Sequence, residues 1–336
     1  MSTIFIDAMN QLIKKNMWSE FYNVFFNTGN LVFSEYCKKE VAYCSVNKLN
    51  EDWANVDRNS VYVLSLSNNL SVEDTYFTRL LYRLAKYKLN VVPIGLGVQT
   101  NLNESPREYV KKIPGRKKRL FQQLAYNTST IGVRGGYTAE CLQLMGIHNV
   151  RVIGCPSFYS NLIEKSSCRK EIEYKFPVRK ICANQDLNLK EEIELIKDDS
   201  TSVENVIQTM PEWGECQHTG NMEGKHIFFS IEDWCKWIKS NEFSGAIGNR
   251  FHGNMICYLN GVQTIWIERD RRTAELIETL GLPSIRNGER IYELDKVFEE
   301  HIYTKEFYGK RTMMRENYID FLNENGIQHK FDMEQR

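Results

Sequence analysis

The chain has 336 residues, 42% hydrophobic and 12% aromatic, and its 43 Lys+Arg balance its 43 Asp+Glu. That length predicts two domains with sizeable cores. Zero net charge excludes a general nucleic-acid binder, which needs a basic excess.

The nine cysteines form no CxxC pair, so zinc-finger and redox spacings are absent and free thiols in a reducing compartment are expected. The opening MSTIFIDAMNQLIKKN lacks a basic stretch before a long apolar run, and no run of about 18 apolar residues follows anywhere. The sequence therefore predicts no signal peptide, no membrane span and a cytoplasmic location.

Taken in order, residues 4–16 carry Ile4, Phe5, Ala8, Leu12 and Ile13 at helical spacing and predict a first helix. Phe21–Phe26 reads as a strand, and Asn27-Thr28-Gly29-Asn30 turns into a helix near Leu31. Strand, Gly turn and helix open many phosphate-binding folds, although no GxGxxG is present here. Val61–Leu66 reads as a strand, Thr75–Lys88 as an amphipathic helix and Val91–Leu96 as a strand, which together make a βαβ unit. Gly97 and Gln99 then fall at a strand's C-terminal end, where doubly wound sheets hold ligands.

Residues 101–120 are polar, and the run Arg116-Lys117-Lys118-Arg119 reads as a solvated face. The functional alternative for that run is contact with phosphates of a lipid-linked acceptor or a membrane surface. Thr130–Val133 (strand), Arg134-Gly135-Gly136, Thr138–Leu144 (helix) and Val150–Ile153 (strand) follow. Residues 161–177 suit an interdomain link, and Lys180–Ala183 opens a second domain. Within the polar stretch 188–226, Glu191–Ile196 suggests a helix and Val203–Thr209 a helix or strand. Ile231–Ser240 is a helix with Trp234, Trp237 and Ile238 on one face. Residues 293–302 and 315–323 are the final helices.

Residues 245–273, GAIGNRFHGNMICYLNGVQTIWIERDRRT, are the most informative stretch. A buried strand ends at Gly248-Asn249, a helix runs from His252 to Leu259, Asn260-Gly261 stops it, and Thr264–Ile267 is a second buried strand. The turn holds Arg250, His252 and Gly253 where free backbone N–H groups face an anion. A fixed cation, an imidazole and free donors make a site for an anionic substrate.

This stretch resembles the C-terminal signature of the polysaccharide pyruvyl transferase family: Arg250-Phe251-His252-Gly253, Gly261-Val262, the strand 264–267, Asp270–Arg272 and Leu280-Gly281-Leu282-Pro283, all in order. The likeness extends with gaps over most of residues 20–285. It is looser at Gly29-Asn30, where the family usually has Gly followed by an acid.

The resemblance implies an α/β fold of two Rossmann-like domains facing a cleft, GT-B-like. It divides the chain into residues 1–165 (acceptor side), 178–303 (donor side) and a C-terminal helix in 304–336 packing back on the first domain. It also implies phosphoenolpyruvate as donor substrate and a pyruvate ketal bridging two hydroxyls of a sugar as product. The setting would be surface or secreted polysaccharide assembly, on the cytoplasmic side of a membrane, with a sugar, nucleotide-sugar or lipid-linked glycan as acceptor.

A donor with a phosphate and a carboxylate needs several fixed cations, and Arg134, Arg250 and Arg272 suit it. His252 is the expected general acid and base. Gly29, Asn30, Gly97, Gln99, Asn249, Gly253, Asn254 and Asp270 complete the expected substrate-binding set. Glu268 reads as a loop ion-pair partner, and Asp270 as that or a partner of His252. The chemistry requires no metal or cofactor. Two rivals stand beside it: a glycosyltransferase of the same shape using a nucleotide sugar, and a glycan-binding relative without chemistry.

Overall fold

A computed structural model of the chain describes residues 2–7, 27–43, 45–48, 55–74, 76–162, 172–184, 201–208, 225–286 and 293–331. Its named strands pair in parallel into sheets of four, six and two strands, and an isolated bridge from Leu96 to Val133 joins the two-stranded pair to the first.

The first sheet contains β1 (Thr3–Asp7), β2 (Ser45–Lys48), β3 (Val61–Ser65) and β4 (Asn90–Ile94), in the order β2-β1-β3-β4. The pair β5 (Ile131–Val133) and β6 (Val150–Val152) continues it, because the Leu96 N–H donates to Gly132 O at 3.0 Å and the Arg134 N–H to Leu96 O at 2.9 Å. Helices α1 (Gly29–Glu40), α2 (Tyr76–Lys86), α3 (Pro106–Lys112), α4 (Gly115–Tyr126) and α5 (Gly136–Leu144) belong to this half. A 3-10 turn, Pro156–Leu162, follows β6.

The second sheet has the order β12-β11-β10-β7-β8-β9. Its strands are β7 (Lys180–Asn184), β8 (Ser202–Val206), β9 (Lys225–His226), β10 (Gly245–Gly248), β11 (Thr264–Glu268) and β12 (Ser284–Arg286). Its helices are α6 (Ile231–Asn241), α7 (Phe251–Leu259), α8 (Arg271–Leu280) and α9 (Leu294–Glu300). Parallel sheets covered on both faces need continuous apolar strands. Val61 to Leu64 and Ala246-Ile247 meet that need, all at 0% exposure. The chain is therefore an α/β protein of two Rossmann-like halves.

One hydrophobic cluster runs between the halves. Val32, Phe33 and Cys37 of α1 share it with Phe158 of the 3-10 turn and with Met255, Ile256 and Tyr258 of α7. Helix α10 (Lys305–Glu324) lies against the first half. Beyond its end, Asn325 Oδ1 accepts from the Thr130 N–H at 3.1 Å and from Thr128 Oγ1 at 3.2 Å. Along its length, Asn317 Oδ1 accepts from Arg151 Nη1 at 2.8 Å.

Two expectations are corrected. Residues 4–7 of the expected helix 4–16 belong to strand β1, Thr3–Asp7, and the remainder, 8–16, lies outside the described residues. Ile4, Phe5 and Ile6 are all buried between β2 and β3, so both faces of this run are covered and the β-favouring residues settle it. Within the basic run, Lys117 is fully buried. It lies on the inward face of α4 with Leu120, Phe121 and Leu124, and its ammonium donates to Ser71 O at 2.7 Å. The polar stretch 101–120 thus holds α3 and the first half of α4. Residues 203–206 are strand. The expected strand at 21–26, the helix at 191–196 and most of the link at 161–177 lie outside the described residues.

Candidate active site

The expected site residues gather where the C-terminal ends of strands from both sheets face each other. Gly97 follows β4, Arg134 follows β5 and Cys155 follows β6; Asn184 closes β7, Gln208 follows β8, Asn249-Arg250 follow β10 and Asp270 follows β11. Strand ends of this kind are where open α/β sheets leave loops free to meet ligands.

The imidazole of His252 sits in the first turn of α7, at the junction. Its Nε2 is 3.4 Å from the Cys155 Sγ of the other half. Its ring lies 6.0 Å from Phe33 and 5.3 Å, edge-on, from Phe251. Desolvation first, and then the guanidiniums of Arg134 and Arg272, push its pKa well below the ordinary imidazole value. His252 is therefore neutral at neutral pH, with one ring nitrogen able to take a proton.

Arg134 is 1% exposed, and burial pulls its pKa down to about 10, still charged at neutral pH. Its Nη1 donates to Asn68 Oδ1 at 2.8 Å, its guanidinium stands 5.3 Å over the Phe33 ring, and Nε and Nη2 are buried without a protein partner. Buried guanidinium donors in that condition point to an anion. Gly97 makes room for this side chain: a Cβ there would stand 2.7 Å from Arg134 Cδ.

The start of α8 supplies the second cation. Asp270 caps that helix, accepting from the Thr273 N–H and Oγ1 at 2.9 Å each, while its other oxygen lies 3.5 Å from Arg272 Nη2. Asp270 thus holds Arg272 in place. Glu268 Oε1 accepts from Ser284 Oγ at 2.9 Å, away from His252's immediate partners. Arg250 is the N-cap residue of α7, and its N–H donates to Asn184 O at 3.1 Å.

The neighbouring residues divide into two kinds. Asn254 is fully buried and works inside the fold: its amide donates to Gly248 O at 2.7 Å and Ile265 O at 3.3 Å, and its Oδ1 accepts from Asn184 Nδ2 at 3.0 Å. It locks the turn after β10 to the strands beside it. Gly29, Gly253 and Asn249 line the junction itself. A Cβ at Gly29 would lie 2.9 Å from Gln208 Oε1 and 3.3 Å from His252 Cβ, and a Cβ at Gly253 would collide with Gln208 and Asn184. Asn249 is buried with Oδ1 unpartnered. Gln99 and Asn30 sit a little apart, on the wall of a cavity in the first half.

Four residues near His252 and Arg134 escaped sequence reading: Cys155, Asn184, Gln208 and Asn68. Each lies at or just after the C-terminal end of a strand, the one local signal that could have flagged them. Among the described residues, no group of three or more His, Cys, Asp or Glu could hold a metal ion, and no helix is long and apolar enough to cross a membrane.

No curated protein matches the sequence. Among solved structures, a UDP-N-acetylglucosamine 2-epimerase aligns over 97% of this chain and 96% of its own, at TM-score 0.47 and 11% identity. MnaA of S. aureus, solved with UDP, aligns over 95% and 92%, at TM-score 0.44 and 12% identity. The glycosyltransferase SnogD from Streptomyces nogalater aligns over 94% of each chain, at TM-score 0.33 and 8% identity. The model of one family, polysaccharide pyruvyl transferase, matches residues 7–271, from the end of β1 through the His252 turn to the first residue of α8, and the chain belongs to that family.

Proposed function

We propose that the chain is a phosphoenolpyruvate-dependent pyruvyl transferase that forms a ketal across two hydroxyls of a sugar. The observation that carries this reading is His252, kept neutral beside two guanidiniums at the junction of the two sheets. Arg134 and Arg272, with Arg250 at the start of α7, take the donor's phosphate and carboxylate. The N-terminus of α7 adds partial positive charge on the same side.

Anion binding then changes His252. Burial is the larger cause of its low pKa, but the two cations add to it, and neutralising them lets the ring carry a proton more readily. In the reaction that proton goes to the enol CH2 carbon, which becomes a methyl group. One sugar hydroxyl adds to C2 and returns its proton to His252. The C2–O bond to phosphate breaks, the second hydroxyl adds, and its proton leaves with the phosphate. Two hydroxyl protons are lost, one to carbon and one to phosphate, so the step balances as ketal plus inorganic phosphate. The work belongs to glycan assembly, and a cytoplasmic setting supplies the donor.

The testing measurement is the shift in Tm with phosphoenolpyruvate, run beside UDP- and GDP-sugars, on the wild type and Arg250→Ala. A ligand at about 100 times its Kd adds roughly 2.7 kcal/mol. Protection by phosphoenolpyruvate that disappears in the variant is the expected result. Protection by a nucleotide sugar alone would replace this reading with a glycosyltransferase.

A further inference from the structure

Charge is spread unevenly along this chain of zero net charge. Residues 75–139 hold twelve Lys and Arg against two acids, Glu104 and Glu108. Lys117 and Arg134 are buried, and the other ten cations are exposed or half-buried. Two of the ten are paired, Lys112 with Glu104 and Arg116 with Asp74. Among the described residues, no carboxylate forms an ion pair with Arg79, Lys86, Lys88, Lys118 or Arg119. Crowding like charges costs self-repulsion, and these cations lie outside the His252 junction.

The fold gathers them on one face. Helices α2, α4 and α5 send Leu80, Leu84, Leu120, Leu124 and Leu142 into a single apolar cluster. Gln123 Nε2 of α4 donates to Ala85 O of α2 at 3.0 Å, and Gln122 Nε2 donates to Met145 O, just past α5, at 2.7 Å. The three helices therefore lie side by side in one layer over the first sheet. On its outer side stand Arg79 and Lys86 of α2 and Arg116 and Arg119 of α4. At the ends of α4 and α5 are two exposed apolar side chains, Tyr126 (89%) and Leu144 (42%). Glu140 is the one acid in these three helices.

We infer that this layer is a docking surface for an anionic lipid bilayer. Phospholipid headgroups present a plane of negative charge, and each Lys or Arg near that plane adds to the attraction. The long stems of Lys and Arg reach the headgroups while the helices stay outside them. Tyr126 and Leu144 favour a bilayer over a nucleic acid. An aromatic ring and a leucine enter the headgroup boundary, whereas the phosphate backbone of a duplex offers them no partner. Among the described residues no helix is long and apolar enough to cross a membrane, so the attachment is peripheral. The inference stands on the charge layout and is independent of pyruvyl transfer.

The test is co-sedimentation of the full chain with vesicles of phosphatidylcholine alone or with about one third phosphatidylglycerol. Binding to a fluorescent short DNA duplex is measured beside it. The variants are Arg79→Glu/Lys86→Glu/Arg119→Glu, Tyr126→Ser, and a control that reverses three exposed lysines elsewhere, Lys239→Glu/Lys296→Glu/Lys305→Glu. A Tm within a few degrees of wild type checks that each is folded. Binding to the anionic vesicles only is expected, weakened about tenfold or more by the triple reversal on the layer and several-fold by Tyr126→Ser. The control should bind nearly as the wild type does. Binding should also fade as salt shortens the screening length from about 10 Å at 0.1 M to about 3 Å at 1 M. No sedimentation with the anionic vesicles, equal sedimentation with both vesicle types, or equal losses in the layer variant and the control would each overturn the assignment. Tighter binding of the duplex than of the vesicles, lost in the same layer variant, would put a nucleic acid in place of the bilayer.

Discussion

Glu275 reaches out of α8 in the second half to cap α5 in the first, its carboxylate accepting from the Thr138 N–H at 2.6 Å and from Thr138 Oγ1 at 2.9 Å. The carboxyl is 1% exposed, and Gly135 lacks the Cβ that would lie 2.2 Å from its Cγ. A carboxylate at a helix N-terminus also opposes the positive end of the helix dipole. Glu275→Ala should lower unfolding stability by about 2–3 kcal/mol, with Glu275→Gln losing less, measured by urea denaturation. Equal stability of Glu275→Ala and wild type would show that the strut contributes nothing.

His252 gives a titration with a definite sign. Its folded pKa lies below the unfolded value, so its contribution to stability is present above the ordinary imidazole pKa and is lost as pH falls toward the folded value. Histidine-labelled NMR, assigned with His252→Asn, should show the ring neutral at about pH 6.5 in the free protein. Adding phosphoenolpyruvate should move its titration upward. An unmoved titration with donor bound would separate His252 from the anion.

Gly97→Ala tests the packing behind Arg134. The new methyl would press on Arg134 Cδ at 2.7 Å and shift the guanidinium without removing it. Displacements of about 1 Å at a reacting centre cost up to 100-fold. A fall of about 10–100-fold in kcat/KM for phosphoenolpyruvate is expected, with Tm changed by only a few degrees. Unaltered kinetics would mean that Arg134 does not position the donor.

Glu40 carries a second pH signature, far from the chemistry. It is fully buried with neither carboxyl oxygen hydrogen-bonded in good geometry, and burial raises its pKa well above the ordinary value. A raised carboxyl pKa gives stability that is complete below the unfolded value and is lost as pH rises through the folded value. Denaturation from acid to neutral pH should show that loss in the wild type. In Glu40→Leu the loss should vanish, and the variant should gain about 1–3 kcal/mol at neutral pH. A parallel pH profile in the variant would clear Glu40 of the effect.

The His252 turn was readable because a strand, a turn and a helix follow one another from residue 245 to 259 and the apolar strands are unbroken. Arg134 was readable for the same reason. Asn68, Cys155 and Glu275 were not, since each acquires its role from a partner 66, 97 or 137 positions away, and no local pattern encodes such a meeting. Lys117 misled because two exposed neighbours and a half-buried one in a basic run hide the one residue whose helical phase turns it inward. At β1, Ile4-Phe5-Ile6 fits either period over so short a span, and only the flanking strands decide.

The bonds from Asn325 to Thr128 and Thr130 set an order of events during synthesis. The partners are separated by 197 and 195 positions, so the ribosome releases the N-terminal sheet long before the residue that ties down the start of β5. At roughly 5–20 residues per second, that strand end waits about ten seconds or longer in the cell. Folding of the first half is thus completed from the far end of the chain, and a nascent chain stalled before α10 presents an unfinished sheet to chaperones and proteases.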